Sequence, residues 1–340
     1  MSRILKIVFI LCTHSYFVFA QQDAQYSHYM FNGLYNSPGY TGIEGVTRIT
    51  LISRLQWAGW TNNAVDKYGA PASHILSVNS RLPFFNRRTG AGCYFTYDTR
   101  GPIVSYEFQP SLAYHVKIAQ GTLGIGVKTG IYTNKLRTDA YRVVDPTDPI
   151  YQSLINNNAD QTQFDLGGGL WYETQKYYGG VGLTHITKNK FSYGTDSISS
   201  VLNNHMFITG GYRFKPAPSL EITPTAIVQT DMKQLTYLFG PMFTFNSKYW
   251  GGLNLRQSIA RRDVTKGGKT LSNDDLVLLI GMSMLKNNSM RLGYAFDLVT
   301  SGRKAKAATS HEIMISYMLP APGASPKPKV RTPRYRHDED

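Results

Sequence analysis

From residue 104 to residue 117 the chain alternates. Val104, Tyr106, Phe108, Leu112, Tyr114 and Val116 fall on one parity; Ser105, Glu107, Gln109, Ser111, His115 and Lys117 fall on the other. Successive side chains of a strand point to opposite faces, so these sets make one apolar and one polar face of a long ribbon. A strand of this length with a Tyr- and Leu-rich face opposite a charged one suits lipid on one side and water on the other. Pro110 falls on the apolar parity and has no amide to donate, which predicts a bulge there.

The same alternation returns along the chain. Leu123, Ile125, Val127 and Ile131 oppose Gly124, Gly126, Lys128 and Gly130; Leu292, Tyr294, Phe296 and Leu298 oppose Arg291, Gly293, Ala295 and Asp297; Ile313, Ile315 and Tyr317 oppose Glu312, Met314 and Ser316. Residues 276–284 depart from the pattern by being apolar on both parities. Fourteen segments read as strands: 47–56, 74–82, 90–100, 103–117, 122–136, 165–173, 178–184, 205–214, 220–229, 234–245, 249–258, 274–284, 290–298 and 310–317. An even number is what a bacterial single-chain barrel needs. The expected fold is all-β, a fourteen-stranded antiparallel transmembrane β-barrel with short periplasmic turns and longer extracellular loops. The links support it. Short ones at 83–89, 118–121, 174–177, 215–219, 246–248 and 285–289 alternate with links that include the long ones at 57–73, 137–164, 185–204, 259–273 and 299–309. Two soluble β-sandwiches in the periplasm would share the strands but would not need that asymmetry, nor charged faces opposite apolar ones in consecutive strands.

The route to a membrane is written at the start. Arg3 and Lys6 precede an apolar run from Ile7 to Phe19, and Val18-Phe19-Ala20 is a small-x-small cleavage site. The run is shorter than the roughly 20 residues of a membrane-spanning helix. Leu11 before Cys12 is too large for a lipobox. The expected layout is therefore a signal peptide at 1–20, a periplasmic N-terminal segment at 21–46, an outer-membrane barrel at 47–319 and a proline-rich basic periplasmic tail at 320–340. Both mature termini are expected on the periplasmic side. Cys93 is the one cysteine beyond the leader, so neither an intrachain disulfide nor a multi-cysteine metal site can form. The net charge of +14 is spread along the chain and is read as loops facing anionic lipid and partners, with no nucleic acid as ligand.

The segment before the first strand reads Gln22-Asp23-Ala24-Gln25-Tyr26-Ser27-His28-Tyr29-Met30-Phe31-Asn32, then Leu34-Tyr35-Asn36-Ser37-Pro38-Gly39-Tyr40. With Arg54-Leu55-Gln56-Trp57, Gly293-Tyr294-Ala295-Phe296-Asp297 and Ser310-His311-Glu312-Ile313, it resembles the PorP/SprF family of outer-membrane proteins of the Bacteroidota type IX secretion system. The resemblance implies a role in secreting or anchoring proteins at the cell surface. Its implied partners are the large translocon barrel, the periplasmic ring lipoprotein of the secretion motor and, for some members, one secreted adhesin recognised through its C-terminal signal domain; gliding motility is the associated process.

The residues have their own physical reading. So many aromatic and apolar side chains in one segment cannot be left in water, so it is expected to pack on the periplasmic end of the barrel or enter its lumen. Asp23, Gln25, Tyr26, Tyr29, Met30, Asn32, Pro38 and Tyr40 are the candidates for a plug or a partner surface. Arg54, Glu107, Lys128, Arg213, Glu221, Arg291, Asp297 and Glu312 are candidates for a polar lumen, either as mutually satisfied ion pairs or as a docking surface. Trp57 and Trp60 read as interface-belt anchors. In the tail, Lys327, Lys329, Arg331, Arg334 and Arg336 sit among prolines that prevent a helix; they are either a solubilising tail or a tether to an acidic periplasmic partner.

No catalytic pattern competes. Lys266-Gly267-Gly268-Lys269-Thr270 ends like a phosphate loop but has Asp263 where the earlier glycine belongs. No Gly-x-Ser-x-Gly elbow occurs, and spacing pairs none of His115, His205 and His311 as metal ligands. The expectation is a non-enzymatic secretion component that binds or anchors a secreted surface protein, without cofactor or metal. The rival from a different class is a passive diffusion porin, since fourteen strands can enclose a channel.

Overall fold

The computed structural model describes residues 23–58, 70–138, 160–192, 199–232, 234–260, 270–300 and 309–323, together with a few positions between 145 and 152. The leader, Trp60, the 266–269 segment and the five basic tail candidates lie outside the described residues.

The strands are β1 (Val46–Ala58), β2 (Ala72–Leu82), β3 (Thr89–Arg100), β4 (Ile103–Ile118), β5 (Gly121–Leu136), β6 (Asp160–Glu173), β7 (Tyr177–Thr184), β8 (Lys190–Ser192), β9 (Ser199–Val201), β10 (His205–Tyr212), β11 (Phe214–Ala217), β12 (Leu220–Thr230), β13 (Gln234–Phe245), β14 (Tyr249–Ala260), β15 (Thr270–Met284), β16 (Met290–Val299) and β17 (Thr309–Pro320). Consecutive wall strands pair antiparallel, β17 pairs back onto β1, and β12 pairs with β10, so the sheet closes. Because β11 continues β10 past Arg213, the wall is a closed fourteen-stranded antiparallel barrel. Closure leaves no unpaired sheet edge, the condition for crossing lipid with strands.

Side-chain direction follows the alternation. On β4, Glu107, Gln109, Ser111 and His115 are buried while Phe108, Leu112 and Tyr114 are exposed outward. Exposed Leu51, Leu76, Ile125, Val127, Val181, Ile208, Phe239, Leu253, Leu278, Ile280 and Ile315 continue that outward apolar band around the wall. A surface so large and so apolar is not stable in water and marks the lipid-facing side.

One expectation changes, and two regions gain an explanation. No bulge forms at Pro110: the β4–β5 register is the same on both sides of it, Phe108 opposite Ile131 and Ser111 opposite Lys128, and Pro110 pairs in register with Cys93 on β3. The missing amide removes a rung of the ladder without inserting a residue. The 185–204 link is not irregular throughout; it holds the two-stranded sheet of β8 and β9, whose Phe191 packs with Leu202, Tyr132 and Leu136 in a small separate core. Residues 276–284 are apolar on both parities because the lumen beside them is apolar too. Val277 and Leu279 point inward and are fully buried in a cluster with the N-terminal segment.

Candidate functional site

The N-terminal segment runs inside the barrel, one of the two placements expected for it. Residues 26–45 are buried without exception. Two 3-10 turns, Tyr29–Phe31 and Pro38–Tyr40, flank a single helical turn at Gly33–Asn36. The segment has no strand alternation, and its local bonds are those of turn chemistry. Asn36 Nδ2 donates to the Tyr29 carbonyl at 3.0 Å, and Ser37 Oγ accepts from the Gly39 amide at 3.2 Å. Asp23 sits among residues of the long-loop end, beside His185, His205, Asp98 and Arg100. Val46 starts β1 at the short-turn end, where Pro320 finishes β17 opposite it. Asp23 and Pro320 thus lie at opposite ends of the barrel.

Midway down, the plug is held by charge. The backbone amides of Ser27 and His28 both donate to the Glu312 carboxylate at 2.8 Å, and His28 Nδ1 lies 2.7 Å from it. Ser27 Oγ is 2.9 Å from both oxygens of Asp297 and takes donors from Arg54 Nη1 and Arg256 Nη2, each at 2.8 Å. Arg54 and Arg256 each reach Asp297 Oδ2 at 2.6 Å, and Arg256 also pairs with Asp275 at 2.7 Å. All of these groups are buried or nearly so. Each charge has at least one opposite partner, which is the condition for keeping them in a dry interior.

Around this clamp lies an apolar cluster. Tyr26, Tyr29, Met30, Phe31, Leu34 and Tyr35 pack against wall residues Ile52, Ile75, Phe207, Ile227, Leu238, Trp250 and Met314. Full burial of a Leu- or Phe-sized side chain stabilises by about 1.5–3 kcal/mol. The aromatic content of the segment is therefore its adhesive. Phe31 lies 4.9 Å from the Trp250 ring and Tyr35 5.4 Å from that of Tyr94.

Lower down, the plug backbone touches the wall backbone directly. A Cβ at Gly124 would stand 2.0 Å from the Gly39 carbonyl oxygen, one at Gly182 2.0 Å from that of Asn36, and one at Gly126 2.2 Å from that of Pro38. The glycines on the inward parity of β5 and β7 therefore form a trough that admits the chain. Near the short-turn end, Arg81 donates to the Gly42 and Ile43 carbonyls at 3.1 and 2.7 Å, and His115 Nε2 meets the Thr41 carbonyl at 2.9 Å. Glu44 pairs with Arg48 at 2.5 Å and accepts from the Tyr40 hydroxyl at 2.5 Å. Burial alone would raise the Glu44 carboxyl, but the charges of Arg48 and Arg291 and these hydrogen bonds outweigh it and hold the pKa below its usual value. Burial and the neighbouring Glu44 charge push the Tyr40 phenol well above its ordinary range.

At the long-loop end, Lys128 hydrogen-bonds Tyr94, which donates to Glu107 at 2.8 Å. His185 bridges Asp165 at 2.9 Å and Asp23 at 3.1 Å. A small cavity of about 20 Å³, room for about one water, adjoins them, lined by Asp23, Tyr35, Asp98, Arg100, Glu107 and Tyr132 among others.

The eight plug candidates thus sit together in the lumen. Gln25 donates to Thr236 at 3.2 Å and the Tyr29 hydroxyl meets Thr225 at 2.5 Å. Of the lumen candidates, Arg54, Asp297 and Glu312 converge on Ser27-His28, while Glu107 and Lys128 pair at the long-loop end. Arg213 binds Glu173 at 2.6 Å near the short turns, and Arg291 lies 5.6 Å from the centre of the Phe31 ring. Glu221 is half-buried and pairs with the exposed Lys215 at 3.5 Å, at the rim. Sequence reasoning passed over Arg256, Asp275, Glu44, Arg48, Asp165 and His185. Arg256, Asp275, Arg48 and Asp165 carried a usable signal, since each is a charge at the inward parity of its strand.

A family model described as type IX secretion system membrane protein PorP/SprF matches residues 18–317. No curated protein matches the chain. Among solved structures the chain is similar to the CymD monoaromatic hydrocarbon channel, at 11% identity and a TM-score of 0.49, covering 85% of this chain and 92% of that one. It is also similar to a Pseudomonas aeruginosa FadL homologue, at 9% identity and a TM-score of 0.47, covering 84% and 94%. Acinetobacter baumannii Omp33 matches at 8% identity and a TM-score of 0.41, covering 82% and 100%.

Proposed function

The chain belongs to the PorP/SprF family of type IX secretion system membrane proteins and is an outer-membrane β-barrel, and from that premise we propose that it is a non-enzymatic anchor for a secreted surface protein, an adhesin held through its C-terminal domain. The observation that carries this reading is the filled lumen. Residues 26–45 occupy the barrel interior and are bonded to its wall by the buried pairs His28–Glu312 and Glu44–Arg48, by hydrogen bonds and by an apolar cluster. A barrel occupied in this way offers its chemistry at its two ends. The long-loop end, with the β8–β9 hairpin and the small cavity, is the face for the secreted client. The short-turn end, from which the basic tail departs, faces the periplasmic ring lipoprotein, while the translocon barrel and outer-membrane lipid lie alongside the wall.

Deleting the protein should abolish surface display of one client or a few while other secreted proteins still reach the surface. Loss of all type IX export would replace the client-specific reading with a general, motor-linked one. The plug also weighs against passive diffusion. Wild-type barrels in planar bilayers should show no steady conductance, and a stable open pore would restore the porin reading.

A further inference from the structure

The leading end of the plug meets the wall at a cluster that the clamp does not involve. Asp23, His185 and His205 each place one ligand atom within 4.8 Å of the others. The three come from distant parts of the chain: the plug, the residue after β7, and the first residue of β10. The two histidines bracket the link that carries the β8–β9 hairpin.

Both rings are oriented from behind. His185 Nδ1 lies 2.9 Å from Asp165 Oδ2, which itself accepts from Gln109 Nε2 at 2.8 Å. His205 Nδ1 lies 3.0 Å from the Asn203 carbonyl. With Nδ1–H donating to these acceptors, both Nε2 atoms face Asp23. His205 Nε2 is 3.1 Å from the Asp23 amide and its Nδ1 3.7 Å from Asp23 Oδ2, while His185 Nε2 is 3.1 Å from Asp23 Oδ1. That contact is closed either by a proton, with His185 an imidazolium donating to both Asp165 and Asp23, or by a metal ion that takes the proton's place between Nε2 and the carboxylate. A metal-bound imidazole held at its other nitrogen by a carboxylate or a carbonyl is the usual arrangement for fixing a ligand's tautomer. Ligand bonds of about 2.0–2.2 Å in tetrahedral geometry separate neighbouring donors by roughly 3.3–3.5 Å, close to the spacing of His185 and Asp23.

We propose that Asp23, His185 and His205 form a binding site for a divalent transition metal such as Zn²⁺, and that the ion staples the leading end of the plug to the barrel wall. Two imidazoles and one carboxylate favour such an ion over Ca²⁺ or Mg²⁺, which take oxygen ligands. On binding, Nε2 of His205 exchanges the Asp23 amide for the metal. The adjoining pocket, which Asp23 also lines, leaves a fourth position for water.

The test uses the full-length barrel purified in detergent, stripped with a chelator and titrated with Zn²⁺ by calorimetry and with Co²⁺ by visible absorption. One equivalent should bind, with the absorption of low-symmetry four-coordinate Co²⁺, and excess Mg²⁺ should not compete. Asp23→Asn, which leaves the wall intact, and His185→Gln should each weaken binding by at least 100-fold. Asp165→Asn should weaken it about 10–100-fold at unchanged stoichiometry. Heat-dependent gel mobility verifies that each variant is folded. Zn²⁺ should also slow amide exchange of residues 23–30 in the wild type and not in Asp23→Asn. Failure of the wild type to bind one equivalent overturns the proposal. So does wild-type affinity in Asp23→Asn and His185→Gln, which would put the ion on other histidines.

Discussion

Replacing Glu312 by Ala tests whether the ionic clamp holds the plug. Glu312 accepts from the Ser27 and His28 amides at 2.8 Å, contacts His28 Nδ1 at 2.7 Å and faces Arg54 at 3.4 Å, with its side chain fully buried. Removing one partner from a buried charged network costs about 3–5 kcal/mol. Arg54 keeps its 2.6 Å pair with Asp297, so the lower part of that range applies. A loss of about 3 kcal/mol shifts an equilibrium by roughly two powers of ten. If the plug opens locally while the barrel stays folded, amide exchange of Ser27 and His28 should accelerate by about a hundredfold in Glu312→Ala. Exchange in the wall strands should hardly change, since the two structures open independently. Glu221→Ala is the control: its half-exposed 3.5 Å pair with Lys215 is worth about 0–1 kcal/mol and touches no plug residue. The assay is hydrogen exchange read by mass spectrometry on folded barrels in detergent. Plug exchange in Glu312→Ala within a factor of about three of wild type would show that the aromatic cluster alone holds the plug.

Gly182→Val should displace the plug even with every charge in place, because its Cβ would meet the Asn36 carbonyl oxygen at 2.0 Å and neither backbone can rotate away; raised conductance in planar bilayers is the readout, and wild-type conductance would refute the trough. Leu112→Arg, on the outward face, should destabilise the folded barrel by about 2–4 kcal/mol if the residue lies near the bilayer midplane, measured by reversible unfolding in lipid vesicles. Ser111→Arg on the inward face should leave the wall folded and eject the plug, since Ser111 accepts from Thr41 Oγ1 at 3.1 Å with no space between them; unchanged plug exchange would count against that contact. Glu44 is held below its ordinary pKa of 4.5, so its contribution to plug stability is complete above about pH 4.5 and is lost as pH falls through the lowered folded value. Plug exchange should therefore quicken in acid, after correction for the intrinsic rate, and Glu44→Gln should flatten that response.

The wall was legible in the sequence because its cause is local. The side-chain period of a strand is two whatever lies across the sheet, and the wall strands all separate lipid from interior, so residues 104–117 announce their faces unaided. That the segment before β1 must be covered was also legible, since its Tyr, Phe and Met side chains carry their hydrophobicity wherever they go. The lumen was not legible, because what fills it comes from elsewhere in the chain. Val277 and Leu279 break the polar-inside pattern only because the plug covers them. Pro110 suggested a bulge because a missing amide is a local fact, whereas a register is set by all the rungs on either side of it. The blocks containing Ser27-His28, Arg54, Asp297 and Glu312 were each visible as separate words, but only barrel closure, which pairs β17 with β1 and β16, puts Arg54, Asp297 and Glu312 on neighbouring rungs facing one plug dipeptide. Likewise Asp23 is separated by 162 residues from His185 and by 182 from His205. No spacing rule reaches so far, and the fold brings them together by setting the plug's leading end against the mouths of β7 and β10.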